Sequence, residues 1–284
     1  MQQRLGCLER SGTGARSACS EEGLSPARPC EVREAMLDNE RMEELRNSSV
    51  IGRLLEEISW EGSKVRGYRD GGRGRENVLT AEVLLPLTYL PRAEFLGEVF
   101  RCANGADAAR ALIADELERA TVVLLPDESR LGPYGPVVQP DGTIASQTCH
   151  VLVEAKAMSG YFQPEQLARE YLALLKDAGN KVPLLFLILG SGPPVAVRGH
   201  GRLDLEDAVA MHLERAHTRT TGVALQPQEL LTQLPAVLAW TTWHDIRDAV
   251  LRQSAPYADA TGGAASTVRR LCEAVATAID WHTG

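Results

Sequence analysis

"VLVEAKAMSG", residues 151–160, starts as an apolar run and then places Glu154 and, two residues on, Lys156. Side chains alternate along a strand, so Glu154 and Lys156 point to one face while Val153 and Ala155 point to the other. A strand apolar enough to be covered on both sides thus brings a carboxylate and an ammonium onto one small patch. Lysine is scarce in this chain, with Lys64, Lys156, Lys176 and Lys181 set against 26 arginines. A lysine on a core strand is therefore notable, because its pKa moves readily on desolvation.

Working outward, "TVVLL" (121–125), "PVVQPDGTIA" (136–145), "CHVLVEAKA" (149–157) and "PLLFLILG" (183–190) read as strands. The last is apolar throughout, as a central strand would be. Between the final two lies "QPEQLAREYLALLKDAG" (163–179), an amphipathic helix with Leu167, Tyr171, Leu174 and Leu175 inward and Gly179 at its end. Upstream, Arg75 to Tyr89 reads as a helix with Leu79, Val83 and Leu87 on one stripe, and Gly105 to Ala120 as another. The order is helix, strand, strand, strand, helix, strand. Residues 1–30 read as a disordered tail, 31–62 as a helical segment, 63–190 as the core and 191–284 as a helical extension. In that extension "LEDAVAMHLERA", "TTWHDIRDAVLRQ" and "ASTVRRLCEAVATAIDW" are the helical pieces.

A hairpin turning near Ser146 to Thr148 sets Asp141 opposite the Val153–Glu154 region, so that two carboxylates come within reach of one cation. Paired acidic oxygens with a backbone carbonyl suit a hard ion such as Mg²⁺. Such an ion lowers the pKa of a bound water and neutralises charge on a phosphoryl oxygen. Lys156 stands where the water or phosphate would be held. "QPDG" is also a good β-turn on its own account, and Glu154 with Lys156 could be a weak ion pair on a strand face.

Pro140-Asp141 followed by Glu154-Ala155-Lys156 resembles the signature of the PD-(D/E)XK nuclease superfamily, over roughly residues 73–190. The resemblance implies an α/β, restriction-endonuclease-like fold: a mixed central sheet flanked by helices on an αβββαβ core, with helical N- and C-terminal additions. It implies that Asp141 and Glu154 bind Mg²⁺, or Mn²⁺ in its place, with help from the carbonyl of Ala155. Lys156 then positions or activates the attacking water. A first-helix acid is often added, for which Glu76 is the first choice and Glu82 the second. The later helix often supplies a glutamine, here Gln166 ahead of Gln163. Some branches carry Gln-x-x-x-Tyr; Tyr171 lies one residue too far from Gln166 for that spacing.

The substrate so implied is nucleic acid, DNA ahead of RNA, in restriction, repair or anti-phage defence, with a homodimer or a defence-complex partner among the arrangements open to it. The Gly-rich loop with Arg66, Arg69, Arg73 and Arg75 precedes the Glu76 helix and offers forks for phosphates. The rival reading is a catalytically inactive nuclease-like module that binds a protein partner, which the formal net charge of −8 favours. A nucleotide hydrolase of the P-loop kind lacks its Gly-rich loop ending in Lys-Ser/Thr. The six cysteines show no zinc spacing, and no stretch is long and apolar enough to span a bilayer, so a cytoplasmic protein is expected. His150 shares the Glu154 face but reads as an ordinary surface or core histidine. Trp240 and Trp243 read as anchors of the C-terminal helices, and Asp127 with Glu128 as loop residues.

Overall fold

The computed structural model describes residues 75–133 and 135–283. The expected tail, the 31–62 helical segment and Arg66, Arg69 and Arg73 lie outside the described residues, and Arg75 contributes only its backbone. Helix α1 (Arg75–Tyr89) is followed by α2 (Phe95–Cys102) and α3 (Asp107–Glu116), then by strands β1 (Thr121–Leu124), β2 (Ser129–Arg130), β3 (Val137–Val138), β4 (Gly142–Ala145) and β5 (Cys149–Ala155). After α4 (Gln166–Ala178) come β6 (Val182–Leu189) and the short strands β7 (Val195–Val197) and β8 (Gly201–Leu203). Helices α5 (Leu205–His217) and α6 (Pro227–Val237), strand β9 (Leu238–Thr242), and helices α7 (Trp243–Ser254) and α8 (Gly263–Thr283) complete the chain.

The main sheet runs β1-β4-β5-β6-β9. β1, β4 and β5 are antiparallel neighbours, whereas β6 and β9 continue parallel to β5. This is a mixed five-stranded sheet with helices on both faces. On one face Val151, Val153, Ala155, Phe186 and Ile188 pack with the inward stripes of α1, α2, α7 and α8. On the other, Leu152, Leu185, Leu187 and Leu189 pack with α4, α5 and α6. The continuous apolar run of β6 follows from this double coverage.

Two expectations need correction. The stretch 136–145 is not one strand: β3 and β4 are separated at Gln139–Asp141, where Pro140 has no N–H to give a ladder. The segment 191–284 is not purely helical, since β7 and β8 form a hairpin and β9 completes the main sheet beside β6. In β9, "LAWTT" follows α6 without an intervening loop, so its five residues read as more helix. The α7 start is clearly marked, however, with the Thr242 hydroxyl and the Asp245 carboxylate bonding reciprocally to each other's backbone N–H. No helix among the described residues is long and apolar enough to cross a membrane.

Candidate functional site

The hairpin register places Gly142 opposite Val153, which sets Asp141 beside Glu154 at the end of the β4–β5 ladder. Asp141 Oδ2 accepts from the Ala155 N–H at 2.7 Å, so the aspartate is held by the strand that carries the other two residues. Helix α1 buries Leu79, Val83 and Leu87 as one stripe, and Glu76 lies a turn earlier on that side, above the end of β5. Its Oε1 accepts from Lys156 Nζ at 2.6 Å and its Oε2 from the Ala157 N–H at 3.2 Å.

Lys156 Nζ also donates to Glu154 Oε1 at 2.7 Å and to the Ala155 carbonyl at 3.1 Å. From α4, Gln166 Nε2 donates to Glu154 Oε1, while Gln166 Oε1 accepts from the Gln163 N–H at 3.2 Å. The structure thus brings Asp141, Glu154, Lys156, Glu76 and Gln166 together. Glu82 lies elsewhere on α1 and pairs with His282 of α8 at 2.8 Å. His150 is half-buried at the other end of β5, where burial lowers its pKa against the pull of Asp177.

One carboxylate oxygen from each of Glu76, Asp141 and Glu154 lies within 4.8 Å of the others. Burial first, and then repulsion from Glu154, hold Asp141 well above the usual carboxylate range; burial and then repulsion from Glu170 do the same to Glu154. For Lys156 burial acts downward, but the charges of Glu154 and Glu76 outweigh it, and the ammonium stays protonated. One ammonium faces several carboxylates, which leaves excess negative charge in a desolvated place. Hard oxygen donors with such a charge excess fit a divalent cation of the Mg²⁺ or Mn²⁺ kind, with the Ala155 carbonyl at hand.

Glu170 belongs to the same cluster and was missed from sequence. It is buried one turn beyond Gln166, and among the described residues no hydrogen-bond partner lies within reach of its Oε2. Its signal was present: Leu167, Glu170, Tyr171 and Leu174 form an inward stripe in which one member is an acid. Burial lifts its carboxyl to about 7, despite the opposing charge of Lys156. Because the folded value lies above the ordinary glutamate value of 4.5, the native state keeps a proton that the unfolded chain releases. Stability therefore falls as pH rises from about 4.5 through 7 and the cost is complete above that, worth about 3 kcal/mol. Glu170→Gln keeps the shape without the charge. Its melting temperature exceeds that of the unsubstituted protein at pH 8.5 in the absence of metal and matches it at pH 5; equal values at both pH settings would sink this assignment.

Two further residues hold Lys156 in place. Trp243, fully buried at the start of α7, donates its indole N–H to the Lys156 carbonyl at 2.9 Å, so this tryptophan anchors the site as well as the helix. Gly190, just after β6, passes so close to the loop following Lys156 that a Cβ there would sit 2.3 Å from the Met158 Cα and 2.7 Å from the Ala157 carbonyl oxygen. Gly190→Ala must push that backbone aside, at a cost of about 1–3 kcal/mol. A melt and a divalent-cation titration check it: both stability and metal affinity fall, and an unchanged affinity would show that the loop does not control the cluster.

No family model, curated protein or solved structure matches this chain.

Proposed function

We propose that the protein is a metal-dependent nuclease, with a core of the restriction-endonuclease-like, PD-(D/E)XK kind. The observation that carries this reading is the meeting of Glu76, Asp141 and Glu154 carboxylates around the Lys156 ammonium at the end of β5. The order of α1, β1, β4, β5, α4 and β6 and the strand directions support the fold reading.

Asp141, Glu154 and the Ala155 carbonyl would hold the cation, with Glu76 completing the acidic side. A divalent ion there supplies Lewis-acid polarisation of a phosphoryl oxygen and a more acidic water. Lys156, kept charged by its surroundings, acts as a hydrogen-bond donor and positive charge toward the phosphoryl oxygens, not as a proton acceptor. Gln166 fixes the Glu154 carboxylate through its amide while its own orientation is set by the Gln163 N–H. Phe162, whose ring centroid is 5.3 Å from Lys156 Nζ, closes one side of the ammonium against water.

The test is incubation with plasmid DNA, single-stranded DNA and RNA in Mg²⁺, in Mn²⁺ and in EDTA. Cutting that requires the divalent ion, with DNA preferred, is the expected result. No cutting of any nucleic acid with either ion overturns the reading and favours a protein-binding module.

A further inference from the structure

The loop that leaves Lys156 presents two exposed apolar side chains beside the acidic cluster. Tyr161 is 47% exposed and Met158 41% exposed. The loop is not free to wander. The Phe162 N–H donates to the Ala196 carbonyl at 2.9 Å and the Arg198 N–H donates to the Phe162 carbonyl at 3.0 Å, which lays the segment along β7 as an extra parallel partner. This fixes Tyr161 next to Arg198, whose guanidinium carbon lies 5.7 Å from the tyrosine ring centroid.

Arg202 comes from the neighbouring strand. It pairs with Ala196, so both turn away from the buried Val195 and Val197, and Arg198 continues that outward face. Arg202 and Lys156 line the same small cleft, together with Gly160, Ser191 and Ala196. Among the described residues neither Arg198 nor Arg202 has an ion-pair partner, although acids outnumber bases in the chain by 38 to 30.

We propose that Tyr161 and Arg198, with Arg202 in the cleft leading to Lys156, form a docking platform for an unpaired nucleic-acid strand. The inference rests on the nuclease reading and narrows its substrate to single-stranded or locally unpaired nucleic acid. In a duplex both faces of each base are already stacked, whereas an unpaired base offers a free face to an exposed ring. Arginines without carboxylate partners among the described residues supply the phosphate contacts that such a strand needs. Because Arg202 and Lys156 line one small cleft, Arg202 stands close to where a phosphate held at Lys156 would lie. Tyr161 and Arg198 are positioning residues here and take no part in bond breaking.

Fluorescence anisotropy with a labelled 20-nucleotide single strand and a blunt duplex of the same sequence, both in EDTA, tests the platform without turnover. The single strand binds at least about tenfold more tightly than the duplex, and Tyr161→Ala loses about tenfold on the single strand only, the size of one base–aromatic stack. Tyr161→Phe retains the binding, and Arg198→Gln weakens it with a shallower salt dependence. Equal binding of the two nucleic acids, binding of neither, or Tyr161→Ala binding like the unsubstituted protein overturns the proposal. Cutting of the same strands in Mg²⁺ separates the two readings. Cleavage indifferent to Tyr161 leaves a nuclease without this platform, and Tyr161-dependent binding without cleavage leaves the platform without the nuclease.

Discussion

Under the proposed nuclease function, Asp141→Asn loses metal-dependent cleavage by about 10³-fold or more while its melting temperature stays level or rises. Both halves follow from the same geometry. An asparagine carbonyl can still accept from the Ala155 N–H, so the end of β4 remains fastened to β5. What disappears is the anionic charge, and a metal site that loses one of its few anionic oxygens gives up several kcal/mol of transition-state stabilisation, about one factor of ten for each 1.4 kcal/mol. Stability moves the other way because a neutral amide in this place avoids the desolvation cost that raises the Asp141 carboxyl. A gel assay of cleavage in Mg²⁺ beside a thermal melt reads the two together. Cleavage within tenfold of the unsubstituted protein would remove Asp141 from the chemistry, whatever the other residues do.

Lys156→Met produces the largest change in stability. The ammonium is buried and bonds to Glu76, Glu154 and the Ala155 carbonyl at once, so its loss leaves the surrounding carboxylates facing only each other. Removing one partner of a buried pair costs about 3–5 kcal/mol. In a chain of this size that corresponds to a fall in melting temperature of roughly 10 °C at pH 8 in EDTA. The fall shrinks near pH 5, where the carboxylates take up protons in place of the lost ammonium, and it shrinks again on adding Mg²⁺, which binds only the folded cluster. Cleavage is lost as well. A melting temperature at pH 8 that matches the unsubstituted protein would mean that the acids are neutralised by something other than Lys156.

The residues of the site were legible where they lay close in sequence on regular elements. Period-two alternation put Glu154 and Lys156 together, the hairpin turning near Ser146 to Thr148 brought Asp141 beside them, and the Leu79, Val83 and Leu87 stripe aimed Glu76. The missed members depend on tertiary contact. Trp243 reaches the Lys156 carbonyl across 87 residues, and no local pattern distinguishes it from any other helix-anchoring tryptophan. Gly190 reads as a breaker after a strand until the neighbouring backbone is seen against it. Glu170 could have been found, because an acid within an apolar helical stripe must be buried with partners or protonated. The β7–β8 hairpin and β9 escaped for a simpler reason: strands of three to five residues carry too few alternations to be told from helix or loop.

The return of the chain to the main sheet at β9, and the grip of Trp243 on the backbone of Lys156, tie the cluster to residues made well after its acids and its lysine. A nascent polypeptide that has left the ribosome only as far as Gly190 has every acid of the constellation but neither the fifth strand nor the indole that braces it. The cluster therefore reaches its final setting only after these later segments have joined the sheet, so its assembly follows completion of the fold around it.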